Sequence, residues 1–296
     1  MLDIYCDTGI FWVLVVVLGL ILGSLTNAVV YRLPKQLMAS WRVEAASLLK
    51  VDNTSTEQLS DWSLFSRSHC PKCLHQISWW QNVPLLSYIY LRGRCFFCKQ
   101  GISLRYPVVE LLGVVVMVMA FFRFGPTVKF LFAAIFGFYL LVAALIDFDT
   151  QLLPDDITWP LFMVGLFASQ FSLFVPIQDA VWGAIGGYYC LWSIYWVFFW
   201  ITKKHGFGFG DFKFMCALGA WLGWQSIPLI ILGSCVAALG VSMICFLLSY
   251  KPGYSQTEGG FFRWQIPFGP YLALAGWVAM FFVDERYLYS YLLPVH

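Results

Sequence analysis

Between Ile10 and Val30 the chain carries no charged side chain. At ~1.5 Å per residue in a helix, that run reaches across the ~30 Å hydrocarbon core of a bilayer. Further apolar runs follow: Pro107 to Phe124, Val128 to Ile146, Ile157 to Val175, Ala180 to Ile201, Phe212 to Trp224, Ile227 to Tyr250 and Ile266 to Val283. Lipid offers the backbone no hydrogen-bond partner, so only helices or closed barrels span it, and long unbroken runs select helices. Of 296 residues 60% are hydrophobic and 11% charged, against roughly 25% charged in an ordinary soluble domain. The expected fold is therefore an all-α polytopic membrane protein of about eight transmembrane helices. Phe212 to Trp224 is the shortest of these runs. Acidic Asp3 and Asp7 precede the first run, where a cleavable signal peptide would carry a basic head, so Ile10 to Val30 reads as a retained helix.

Charge then orients the helices. The stretch from Arg32 to Arg105 holds ten of the eighteen Lys and Arg residues and no long apolar run. With eight spans, its side of the membrane also collects Lys203, Lys204, Lys213, Lys251 and Arg263, leaving Arg123, Lys129 and Arg286 opposite. Positive charge marks the cytoplasmic side. Both termini are expected outside the cytoplasm, and the loops at Asp147 to Asp156 and Lys203 to Asp211 at the cytoplasmic face. The expected division is 1–33 as first helix, 34–105 as a cytoplasmic subdomain and 106–296 as a membrane domain, with Ala45 to Asp61 a polar loop or short helix. A net charge of +2 gives no argument for nucleic acid. GxxxG spacings at Gly19 and Gly23, Gly183 and Gly187, and Gly219 and Gly223 point to close helix packing within the chain, ahead of a dimer interface.

In the soluble stretch, Cys70-Pro-Lys-Cys73 and Cys95-Phe-Phe-Cys98 are separated by twenty-one residues, near the spacing at which two knuckles share one tetrahedral metal. Zinc is the expected occupant, with Lys72, Arg92, Arg94 and Lys99 placed to offset the charge of four thiolates. Two disulfides or idle thiols are the alternatives, disfavoured in a reducing compartment. Four cysteine ligands leave no open position, so the zinc would be structural, and His69 and His75 are not needed as ligands. Cys6, Cys190, Cys216, Cys235 and Cys245 read as small buried residues.

Asp147 closes the third apolar run in Ala144-Leu-Ile-Asp-Phe-Asp149, ahead of Leu153-Pro-Asp155-Asp156; Asp211 ends Gly206-Phe-Gly208-Phe-Gly210-Asp211 at the head of the sixth. A carboxylate against hydrocarbon costs a few kcal/mol. Two brought together share a proton, so that one acts as base on a water while the other stays protonated, which is the chemistry of peptide hydrolysis without a metal. Gly208 and Gly210 are expected to let the backbone bend sharply and a substrate strand approach. Asp211 as a plain helix cap is the alternative for this string taken alone; a second aspartate at a span end on the same face favours catalysis. Glu110 and Lys213 are candidate substrate or cofactor contacts, equally readable as interfacial charges, and His205 reads as solvated.

These motifs, with Gly23-Ser-Leu-Thr-Asn27, Arg32-Leu-Pro34, Asn82-Val-Pro84, Tyr106-Pro107, Glu110 and Pro267-Phe-Gly-Pro270, resemble in order and over nearly the whole chain the type IV prepilin peptidases. Those are bacterial GxGD-type intramembrane aspartic proteases that also carry an N-methyltransferase activity. The resemblance implies Asp147 and Asp211 as catalytic pair, with Asp149, Asp155 and Asp156 secondary, and Cys70, Cys73, Cys95 and Cys98 as the cytoplasmic metal site. It implies prepilin or pseudopilin substrates cut at the cytoplasmic face of the bacterial inner membrane, and S-adenosylmethionine as methyl donor, for which no glycine-rich fingerprint is visible. A transporter, or a zinc-bearing scaffold using the aspartates structurally, is the competing reading.

Overall fold

The computed structural model describes residues 9–49, 68–70, 72–73, 75–203, 208–249 and 267–282. Among them the elements are α1 (Gly9–Leu49), a 3-10 turn (Trp79–Asn82), α2 (Leu86–Tyr90), α3 (Arg105–Phe124), α4 (Val128–Thr150), α5 (Asp155–Gln170), α6 (Ile177–Thr202), α7 (Phe209–Leu222), a 3-10 turn (Trp224–Ser226), α8 (Ile227–Ser249) and α9 (Gly269–Phe282). The described residues contain no strand, only two isolated antiparallel bridges.

Each expected apolar run coincides with a helix among the described residues, the run from Ile157 staying helical only to Gln170. Among the described residues, five helices are long and apolar enough to cross a membrane: α1, α3, α4, α6 and the segment Trp224–Ile244. The other three, α5 with 16 residues and α7 and α9 with 14 each, fall short of the ~20 residues of a straightforward span. Asp3, Asp7, Cys6, Lys204, His205, Gly206, Lys251, Arg263 and Arg286 lie outside the described residues, as does the side chain of Cys245.

The chain divides into two compact units, Met1–Val142 and Ala143–His296. In the first, α1 does not stop where its apolar run does. It continues through a buried Pro34 to Leu49, past residue 33 and into the stretch from Ala45 that the sequence reads as a polar loop or short helix. Lys35-Gln-Leu-Met-Ala39 are good helix formers, which sustains the helix past the one hydrogen bond that proline forfeits. Gly19 and Gly23 meet the backbone of Gly113, Val114 and Glu110 on α3. Farther along, Trp12 packs edge-on to Phe121 at 5.0 Å and Phe121 to Phe130 at 5.5 Å, around Val15, Met117 and Ala134. Asn27 Nδ2 donates to the carbonyl of Tyr106 at 3.1 Å, tying the other end of the same hairpin.

The second unit is organised around α7. Phe212, Phe214, Met215, Leu218, Trp221 and Leu222 are all fully buried, with α5, α6 and α9 packed on α7. Its shortness follows: a helix wrapped by protein need not match the bilayer. Gly183 on α6 and Gly219 on α7 oppose each other with no room for a Cβ on either, and Gly187 lies close on the Met215 backbone. The GxxxG glycines therefore pack within the chain, as expected, since van der Waals fit is what holds helices together in lipid. Trp221 Nε1 donates to the Leu161 carbonyl at 2.7 Å, its indole filling the space over Gly165. Gly223, at φ +76, ends α7 where an L side chain would be strained.

Gly219→Ala must push two backbones apart, at roughly 1–3 kcal/mol for overpacking. It should lower the thermal midpoint in detergent, whereas Gly240→Ala, with open space around it, should leave the midpoint unchanged; equal midpoints for both would contradict the crossing.

Candidate active site and metal centre

Asp147 sits in the last turn of α4, just before Gln151, whose φ of +54 ends the helix. Only 6% exposed, it stands at the end of its own helix where unpaired carbonyls make a carboxylate unwelcome. Compensation comes from another helix. The N–H of Gly269, first residue of α9, donates to Asp147 Oδ2 at 2.8 Å. A Cβ on residue 269 would fall 2.7 Å from that oxygen, so glycine is what lets α9 present its amino end to the carboxylate. The Pro267-Phe-Gly-Pro270 string starts α9 here; the sequence marked it as a motif without giving it a site role.

Asp211 is the third residue of α7 and 7% exposed. Its Oδ2 accepts the N–H of Gly208 at 3.1 Å, the reach-back of a first-turn carboxylate to the residue preceding the helix. Capping and burial thus occur together in one residue. The neighbouring glycines act differently from the sharp bend expected of them. Gly208 has an ordinary extended conformation (φ −79, ψ 148). Gly210 is helical and lets Leu153 close in, since a Cβ there would lie 2.8 Å from the Leu153 Cβ. Both carboxyls belong to the second unit and lie within electrostatic reach of each other.

Lys213 forms a two-pronged pair with Asp155, at 2.7 and 2.8 Å, tying the start of α5 to the first turn of α7. With both side chains about half exposed, the pair fixes position more than it stabilises. Its partner was not legible in sequence. Asp149 and Asp156 are exposed. Glu110 belongs to the first unit, is buried on α3 and accepts the N–H of Leu85 at 2.9 Å, a role nearer the structural of its two readings.

The four-cysteine segment has two knuckles of the same build. Bridges His69↔Gln76 and Arg94↔Gly101 close around Cys70/Cys73 and Cys95/Cys98, and in each the first cysteine N–H reaches the carbonyl five residues on, His75 at 3.0 Å and Gln100 at 2.8 Å. All four sulfurs lie within 4.8 Å of one another, Cys70 and Cys98 at 3.9 Å. Zn–S bonds of ~2.3 Å in a tetrahedron place sulfurs ~3.8 Å apart, so the residues fit a structural zinc and none is in a disulfide. Burial opposes ionisation of Cys70, but N–H groups of Cys73 and Lys72 and neighbouring thiols outweigh it and bring its pKa to about 7. The His75 N–H favours the Cys73 thiolate, yet desolvation and the three other sulfurs push Cys73 up to about 11. Four thiolates this close need a cation among them. His75 lies against the Phe97 ring at 3.5 Å and is not one of the ligand set.

Comparison with known proteins gives a consistent answer. Residues 17–124 match the bacterial Peptidase A24 N-terminal domain, and residues 134–243 the type IV leader peptidase family. A prepilin leader peptidase/N-methyltransferase of Pseudomonas putida is 44% identical over 281 residues, covering 95% of this chain and 94% of its own. Proteins of that same name from Pseudomonas aeruginosa and Legionella pneumophila are 43% and 37% identical, covering 91% and 93% of this chain and 90% and 93% of theirs. No solved structure matches.

Among the described residues of 68–104, Cys70 is the only buried side chain, so the metal must replace a core. Cys95→Ser should lower bound zinc measured by elemental analysis and expose the segment to protease; undiminished zinc would overturn the four-cysteine assignment.

Proposed function

The chain belongs to the type IV leader peptidase family, and on that premise we propose that Asp147 and Asp211 are the pair with which it hydrolyses its substrate. It is a prepilin leader peptidase and N-methyltransferase: it removes the leader of prepilins and methylates the new amino terminus. The observation that carries the assignment is that two buried carboxyls on different helices are each held, through Oδ2, by the N–H at a helix start.

That arrangement leaves Oδ1 of each aspartate for a proton and a water. Sharing one proton, the ionised carboxyl removes a proton from water as its oxygen attacks the scissile carbonyl carbon, and the protonated carboxyl gives its proton to the carbonyl oxygen. Collapse of the tetrahedral diol breaks the C–N bond, with a proton returned to the leaving amine. The pair titrates as one unit. Gly208 and Gly210 form the loop and first turn that bring Asp211 to this position, and the Lys213–Asp155 pair ties that turn to α5.

The protein is an integral inner-membrane protein. Its cytoplasmic face, by the distribution of Lys and Arg, carries the four-cysteine segment and both aspartates, where prepilin or pseudopilin leaders would be presented. Structural zinc fits Cys70, Cys73, Cys95 and Cys98. S-adenosylmethionine supplies the methyl group when bound. The described residues hold no glycine-rich strand-loop-helix turn for it, and no step is assigned to this chain's residues toward it. A transporter would line a path with charge at mid-membrane, whereas Asp147 and Asp211 stand at helix ends.

In detergent or lipid, Asp147→Asn and Asp211→Asn keep side-chain shape but cannot cycle a proton. Each alone should abolish prepilin cleavage while helicity and zinc content hold. Cleavage persisting in either would make that residue structural and favour the scaffold or transporter.

A further inference from the structure

Among the described residues, the four-cysteine segment is tied to its membrane hairpin at a buried side chain, that of Glu110. Glu110 lies five residues into α3 from Arg105, about 7.5 Å along the helix axis, and its Oε2 accepts the N–H of Leu85 at 2.9 Å. Leu85 is held in a tight turn, φ +55, with the next N–H bonded to the Pro84 carbonyl at 2.6 Å. α2 begins at the following residue. Its start is therefore fixed beside the second turn of a helix that crosses the bilayer, at the depth of the headgroup layer.

What α2 shows there is apolar. Leu86, Ile89 and Tyr90 are 67%, 70% and 77% exposed. Tyr90 opens a row of rings, to Trp80 at 6.4 Å, from Trp80 to Phe96 at 5.7 Å and from Phe96 to Phe97 at 5.3 Å. Trp80, Phe96 and Phe97 all keep more than a third of their surface exposed. A soluble zinc module with such a face in water would be an aggregation hazard. The charge around it has one sign: from Trp62 to Val109 the sequence holds no Asp or Glu. Lys72, Arg92, Arg94 and Lys99 are exposed, and Lys99 Nζ lies 5.2 Å from the Phe96 ring centre. Aromatic rings interleaved with Lys and Arg are what the interface of an anionic leaflet selects.

We infer that α2 and the Trp80–Phe96–Phe97 row are a membrane-docking face, seated in the anionic headgroup layer of the bilayer that α1 and α3 cross. Docking gives the four-cysteine segment two restraints, the Glu110 tie and the lipid surface, and fixes its height above the membrane. The inference does not depend on which residues perform hydrolysis.

The full chain in nanodiscs, with p-benzoylphenylalanine replacing Ile89 or Leu48, tests it. Leu48 is also exposed, at 83%, but lies sixteen residues beyond Arg32 on α1, about 24 Å along the helix. Illumination should yield lipid adducts at position 89 and not at 48, more in phosphatidylglycerol than in phosphatidylcholine discs. Arg92→Gln with Arg94→Gln should remove that excess, with the adduct yield in phosphatidylcholine discs unchanged as the measure of a folded segment. Lipid adducts at 89 no more abundant than at 48 would overturn the inference. So would their replacement by adducts to added prepilin, which would make the substrate the occupant of this face.

Discussion

A carboxylate set against hydrocarbon is the most expensive feature of this chain, and the second unit is arranged around meeting that cost twice. Each aspartate takes a backbone N–H at the amino end of a helix, where unpaired donors and the helix dipole favour negative charge. For Asp211 the helix is its own, α7. For Asp147 it is α9, 122 residues away in sequence, and the carboxylate end of α4 gains what its own carbonyls withhold. Burial is what would make such a pair useful in the proposed hydrolysis, because two neighbouring carboxyls that do not both ionise would keep one proton between them.

The packing of α7 follows from that requirement. To hold Asp211 in place, α7 is enclosed by α5, α6 and α9, with backbones in contact where glycine faces glycine at Gly183 and Gly219. In lipid no hydrophobic driving force brings helices together, so such close fits carry the association. The first unit uses the same device at Gly19, Gly23 and Gly113, but the described residues of its four-cysteine segment have almost no core, and there four thiolates around a zinc would supply what burial does not.

Much of this was legible because the physics is local. Unbroken apolar runs, the paired CxxC knuckles and the GxxxG glycines each state their structure within a few residues. Asp147 and Asp211 stood out because a carboxylate against hydrocarbon is costly. What stayed hidden depends on distant partners. Nothing near Gly269 says that its N–H meets Asp147, and nothing near Lys213 points to Asp155. The length of α1 was not legible because loss of hydrophobicity after Val30 ends a span, not a helix. Likewise the glycines before Asp211 suggested flexibility, whereas Gly210 is there for the close approach of Leu153.

The central claim is that Asp147 and Asp211 act together on one tetrahedral carbon. A leader peptide with a hydroxyethylene group in place of the scissile amide mimics that carbon and should bind far more tightly than the substrate peptide, because the site is complementary to the transition state. Its affinity should be measured for the wild type and for each single Asn variant. The account predicts tight binding to the wild type and loss of that advantage in both variants; an affinity indifferent to either aspartate would contradict it.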